Sequence, residues 1–135
     1  MNRTFIDTAF VVALVNHKDQ YHDQAVELSK KYENDPTLIT EAVLLEIGNA
    51  LAKDFKQEAV EIIKAFRSSD EVVIIEQDSQ LFVKGFEMYE KYKDKAWGMV
   101  DCISFVAMRE HKITDALTTD DHFKQAGFTG EKHLA

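Results

Sequence analysis

Four carboxylates stand out by where they fall in the chain: Asp7, Glu46, Asp101 and Asp120 each border residues that a folded protein would bury. Asp7 follows Phe5 and Ile6 and precedes the apolar run Ala9 to Val15. Glu46 comes three residues after Val43 and four before Ala50, so it shares the helix face expected to be covered. Asp101 lies among Met99, Val100, Cys102 and Ile103, in what reads as the first turn of an apolar helix, where free N–H groups and the helix dipole favour negative charge. Each acid alone has an ordinary explanation. Asp is a preferred helix N-cap, which would account for Asp7 or Asp120, a Glu at the edge of a buried face can reach solvent, and Asp101 can be a structural acid at a helix start. Jointly they are harder to explain, because an unpartnered buried carboxylate costs several kcal/mol and clustered carboxylates repel one another. A divalent cation removes both penalties. Hard cations such as Mg²⁺ or Mn²⁺ take oxygen ligands and retain waters, so a carboxylate set without His or Cys suits them.

The histidines support this by default. None of the five pairs at the four-residue helical spacing of a zinc site. His17 and His22 fall in a polar stretch expected to be exposed, and no histidine is assigned to the site.

The elements that would hold these acids follow from periodicity. Arg3 to Ile6 reads as a short strand and Thr8 to Val15 as the apolar helix directly after it, which puts Asp7 at the junction. Tyr21 to Tyr32 is helical by Ala25, Leu28 and Tyr32. After the Asp35-Pro36 break come a strand over Thr37 to Thr40 and a helix over Glu41 to Lys53. The run Ala59, Ile62, Ile63, Phe66 marks a further helix, and Val72 to Ile75 has the β-branched composition of a buried parallel strand. Leu81 to Tyr92 and Met99 to His111 are helical, and Ala116 to Thr118 is the last strand. Strands separated by helices throughout predict an α/β fold, a three-layer α/β/α sandwich around a mainly parallel sheet. Asp7 and Asp120 then fall beyond strand C-terminal ends, where open α/β sheets bind ligands.

Bulk properties set the frame. At 135 residues, with 45% apolar and 30% charged residues and no repeat or low-complexity linker, the chain is expected to form one domain, residues 1–135. A lone cysteine, Cys102, suggests neither a disulfide framework nor a multi-cysteine zinc site, and a cytoplasmic protein is the simplest expectation. The apolar N-terminal stretch is interrupted by Asp7 and reads as strand and helix rather than as a signal peptide; no run is long enough for a membrane span. The net charge of −8 argues against indiscriminate polyanion binding, which needs clustered Lys and Arg.

Four segments carry a family resemblance: FIDTAF near the start, TEAVLLEIGNAL in the second strand–helix unit, WGMVDCISF opening a late helix, and ALTTDDHFKQAGF near the end. In order, spacing and setting they resemble the PIN domain, and within it the VapC-type toxin ribonucleases of toxin–antitoxin systems. The resemblance covers nearly the whole chain. It implies a divalent-metal-dependent endoribonuclease in which Asp7 and Asp101 match the principal metal-binding aspartates and Glu46 and Asp120 the other two acids of the catalytic pocket. Thr8 and Thr118 match polar positions beside the site. Gly98 departs from the Ser often found three residues before the third acid, and Val100 from the frequent Thr just before it, which bears on substrate contacts. Asp121 competes with Asp120, but the Thr118-x-Asp120-x-x-Phe123 register favours Asp120.

The reaction expected is metal-assisted hydrolysis of RNA phosphodiester bonds, with Mg²⁺ or Mn²⁺ as cofactor. The implied partners are an RNA substrate, a cognate antitoxin that inserts a basic side chain into the acidic pocket, and a second copy of the chain. The apolar content of Glu41 to Phe66 is the local reason to expect a homodimer. Lys53, Lys56, Arg109 and Lys112 are candidate RNA contacts, against the ordinary alternative of solvated surface. Two other readings compete: a receiver-like phosphoacceptor and a non-catalytic PIN-fold interaction module. The first would draw its acids from strand ends and pair them with a Lys after a late strand; here Glu46 and Asp101 sit on helices. The second is disfavoured by the presence of all four acids.

Overall fold

Among the described residues, four short parallel strands, in the order β3-β2-β1-β4, form the sheet that organises the protein. The computed structural model describes residues 3–128, so the two ends of the expected 1–135 domain lie outside the described residues. The strands are β1 (Thr4–Ile6), β2 (Thr37–Thr40), β3 (Val72–Ile75) and β4 (Ala116–Leu117). The helices are α1 (Thr8–Val15), α2 (His22–Lys31), α3 (Glu41–Ala50), α4 (Lys56–Ser68), α5 (Ser79–Lys91), α6 (Met99–Glu110) and α7 (His122–Gln125).

The chain steps outward from β1 through β2 to β3, then returns to place β4 on the far side of β1. Phe5 pairs with Leu38 on one side and Ala116 on the other, so β1 is central and fully buried. The strand order therefore reverses between β1 and β4, the switch point at which open α/β sheets form their ligand crevice. α1, α2 and α4 line one cleft together with Ile6, Thr37, Val72 and Leu117 of the strands. α3, α5 and α6 meet through Ala42, Leu81, Ile103 and Val106, with Ile75 of the sheet against them. This is the α/β/α arrangement expected.

Local chemistry explains the joints. Thr40 ends β2 and caps α3, its hydroxyl accepting from the Val43 N–H at 3.1 Å, and Asp78 caps α5 by accepting from Leu81 N at 2.8 Å. α1, TAFVVALV, is apolar on nearly every side because it is covered by both the sheet and neighbouring helices. α5 and α6 approach so closely that a Cβ on Gly85 would stand 2.6 Å from Ile103 Cγ1. The C-terminal segment is held by aromatic packing. Phe105 of α6 meets Phe123 edge-on at 4.9 Å and Trp97 at 5.1 Å, and Phe128 lies 5.6 Å away. Gly127, at φ 94°, makes the left-handed turn that folds Phe128 back so that its N–H reaches Phe123 O at 2.9 Å.

Some expectations need correction. β3 is only half-buried, because it is an edge strand with β2 as its one neighbour. α3 stops at Ala50 rather than Lys53, and Ala50 is exposed. His22 is half-buried, with Nδ1 2.9 Å from the Ala13 carbonyl, since α2 packs back on α1. Arg109, exposed, donates to the Ala126 carbonyl at 3.1 Å and lies over the Phe128 ring. Among the described residues the largest exposed apolar stripe is on α5, through Phe82, Val83, Phe86 and Tyr89; the Glu41 to Phe66 segment contributes Leu45 and Val60. No helix among the described residues is long and apolar enough to cross a membrane.

Candidate functional site

Asp7, the first residue past β1, has the position and backbone angles of an N-cap for α1, yet its carboxylate makes no capping bond. It accepts instead from the Thr118 hydroxyl at 2.8 Å, across the β1–β4 pair. That removes the simplest structural explanation for an aspartate there. Asp7 is only 4% exposed, and burial drives its carboxyl up from the ordinary value of 3.8 to about 7; the Thr118 hydroxyl and the Thr8 N–H pull it down, and the charges of Asp101 and Asp120 push it up further. Asp7 is thus electrostatically coupled to two acids that lie 94 and 113 positions further along the chain (101 − 7 and 120 − 7).

Asp101 is delivered by α6. Its Oδ2 accepts from the Gly98 N–H at 3.1 Å, which fixes the side chain against the helix start. Asp120 lies in the turn between β4 and α7. Its own N–H donates to Thr118 Oγ1 at 3.0 Å, and its Oδ1 accepts from His122 N at 2.9 Å. Thr118, fully buried, therefore serves both acids. Asp121 is exposed and makes no cap bond.

The residue that sequence reasoning missed is His122. Its Nδ1 lies 2.9 Å from Asp101 Oδ2 and 3.2 Å from Asp120 Oδ2. Ligand atoms of Asp101, Asp120 and His122 all fall within 4.8 Å of one another, the arrangement a cation would need. The position of His122 two residues after Asp120 was visible in the sequence, but nothing local revealed that α6 brings Asp101 to meet it.

Glu46 is half-buried on α3, beside the fully buried Val43 and Ile47. It is not a member of the Asp101, Asp120, His122 group and does not figure among the charges that shift Asp7. The structure thus gathers three of the four acids and adds a histidine. Thr8, 7% exposed, has a buried hydroxyl oxygen with no hydrogen-bond partner, directly beside Asp7 in sequence. Two oxygen donors and a nitrogen in reach of one point, a coupled buried carboxyl and an orphaned hydroxyl make a donor set that fits a divalent metal.

No protein-family model matches the chain. It is 29% identical over 126 residues to the 23S rRNA-specific endonuclease VapC20 of Mycobacterium tuberculosis, in strains CDC 1551 / Oshkosh and ATCC 25618 / H37Rv, an alignment covering 92% of this chain and 94% of the relative. The crystal structure of M. tuberculosis VapC20, described as a Sarcin-Ricin loop cleaving toxin, superposes with a TM-score of 0.82 at 28% identity, covering 93% of this chain and 96% of that one. Sequence and fold agree nearly end to end: over almost its whole length the chain is similar to a VapC-type PIN-domain toxin.

Proposed function

We propose that this protein is a divalent-metal-dependent endoribonuclease acting as the toxin of a toxin–antitoxin pair, with Asp7, Glu46, Asp101 and Asp120 as its acidic site. The observation that carries the reading is the convergence of Asp101 and Asp120 from α6 and the β4–α7 turn beside the buried, raised-pKa Asp7. Asp7 and Asp101 are assigned as principal metal ligands, with Glu46 and Asp120 as the other two acids of the site. Mg²⁺ or Mn²⁺ is the proposed ion; when bound it supplies a Lewis acid and a nucleophilic water for phosphodiester hydrolysis.

The chain's own contribution is to hold charge where water would otherwise disperse it. Thr118 orients Asp7 and anchors the Asp120 turn, and the α6 start orients Asp101, so the carboxylates are preorganised before substrate arrives. RNA is the proposed substrate. The relative named as 23S rRNA-specific and as a Sarcin-Ricin loop cleaving toxin makes ribosomal RNA the first target to test.

An antitoxin whose Arg enters the acidic pocket, a homodimer, a cytoplasmic location and a single domain over residues 1–135 complete the proposal. The α5 stripe of Phe82, Val83, Phe86 and Tyr89 is the apolar surface best suited to the dimer. Light scattering that returns 15.5 kDa at micromolar concentration argues against it.

Purified, antitoxin-free protein should cleave rRNA or a Sarcin-Ricin loop fragment with Mn²⁺ or Mg²⁺ and not with EDTA. Intact substrate across mixed RNAs, under conditions where metal binding is measurable, rejects the nuclease assignment.

A further inference from the structure

We propose that His122 is itself a metal ligand, so that the site is a mixed nitrogen–oxygen centre selective for Mn²⁺ or a similar transition ion over Mg²⁺. The inference rests on the metal-dependent reading above and adds to it a donor that an all-carboxylate site lacks.

The geometry is specific to His122. Its Nδ1 faces two carboxylate oxygens at 2.9 and 3.2 Å, and those oxygens belong to different elements, α6 and the β4–α7 turn. A neutral imidazole with its proton on the other ring nitrogen would present a lone pair to the point where both carboxylates converge. The ring is also placed firmly. The His122 backbone N–H is bonded to Asp120 Oδ1 at 2.9 Å. The next residue, Phe123, is fully buried in edge-on contact with Phe105 at 4.9 Å, and Gln125 accepts from the Trp97 indole N–H at 2.9 Å. A side chain whose backbone is held from both ends, and which is a quarter exposed, is suited to ligation.

Donor chemistry gives the consequence. Carboxylate and water suit Mg²⁺, Ca²⁺ and Mn²⁺ alike, whereas imidazole suits transition ions and gives Mg²⁺ little. One nitrogen in the set therefore separates Mn²⁺ from Mg²⁺. The opposing role is an outer-shell one, in which His122 only orients Asp101 and Asp120 by hydrogen bonding.

Mn²⁺ titrated into the chelator-treated full-length protein, followed by electron paramagnetic resonance and electron spin echo modulation, separates the two roles. The expected result is strong ¹⁴N coupling to bound Mn²⁺, replaced by a ¹⁵N pattern when histidine is isotopically labelled, and lost in His122→Gln. His122→Gln should weaken Mn²⁺ by at least the roughly tenfold that loss of an outer-shell partner costs, with a smaller change for Mg²⁺ measured by competition. His122→Asp should recover affinity for Mg²⁺ without restoring ¹⁴N coupling. Mn²⁺ bound to the wild type with no strong histidine coupling, or coupling that persists in His122→Gln, overturns the inference while leaving the metal site standing. Failure of the wild type to bind Mn²⁺ at all, or equal binding by Asp101→Asn, removes both. The labelling arm uses only wild-type protein, so the inference stays testable if a variant fails to fold.

Discussion

The Thr118 hydroxyl donates to Asp7 Oδ2 at 2.8 Å, a bond between residues 111 positions apart. It joins the ends of β1 and β4, which also share the backbone bond from Asp7 N to Leu117 O at 3.1 Å. The same Thr118 oxygen accepts from Asp120 N. One buried hydroxyl therefore links two site acids, and removing it without changing side-chain shape isolates its contribution. Thr118→Val should destabilise the protein by about 1–3 kcal/mol, because it strands buried polar groups. It should also raise the Asp7 pKa further, since this bond is the largest effect lowering it. Urea melts and the pH profile of metal binding measure the two effects; an unchanged profile would mean the bond does not govern Asp7.

Charge rather than shape should matter at Asp101. Asp101→Asn keeps the volume and an oxygen acceptor near the Gly98 N–H but removes a negative charge that faces Asp7 and His122. Cleavage should fall by orders of magnitude, while the metal-free fold is retained or gains stability as repulsion is relieved. Asp121→Asn is the matched control, because Asp121 is exposed and caps nothing. Full Mn²⁺-dependent cleavage by Asp101→Asn together with loss in Asp121→Asn would show that the late acids are in the wrong register.

Asp7 should make the metal-free protein less stable as pH rises. Its carboxyl titrates near 7 in the folded state and near 3.8 when unfolded, so between those values the folded state holds the extra proton. Stability therefore declines through that window and the penalty is complete above about 7. At about 1.4 kcal/mol per pKa unit, the full effect is a few kcal/mol. Asp7→Asn lacks the titrating group. Its advantage over the wild type in EDTA should be small near pH 4 and large near pH 8, as read by melting temperature, and saturating Mn²⁺ should narrow it. A gap that does not vary with pH would place the Asp7 carboxyl outside this electrostatic account.

The α5–α6 contact predicts a sign change. Gly85→Ala puts a Cβ at 2.6 Å from Ile103 Cγ1, which should cost about 1–3 kcal/mol despite the better helix propensity of Ala. On an Ile103→Ala background the clashing atom is gone. There the same substitution should stabilise by up to about 1 kcal/mol. Denaturant midpoints for the four proteins of the double-mutant cycle check this, and additivity would refute the contact.

The elements themselves were legible in the sequence. Thr8–Val15, Thr37–Thr40 and Val72–Ile75 have the bounds their composition predicts, since local apolar periodicity and a single Pro break determine where this chain becomes helix or strand. The strand–helix alternation was enough for an α/β fold with a parallel sheet. Asp7 and Asp101 could be named because each interrupts apolar sequence in a way that needs explaining, and Asp120 because it follows the last strand in the register of the resemblance. Tertiary structure decided the rest. The return of β4 to the side of β1, rather than to β3, is what brings Asp7 to Thr118 and Asp120. The same return exposes β3 as an edge, so its β-branched run is half-buried although its composition reads as interior. His122 carried no readable spacing because its partner Asp101 arrives from α6, and only packing of Phe123 against Phe105 sets the two side by side. Glu46 and the α5 stripe show the same limit. Periodicity reveals that a helix has an apolar face, but which neighbour covers that face depends on contacts distant in sequence, and distance in sequence carries no local signal.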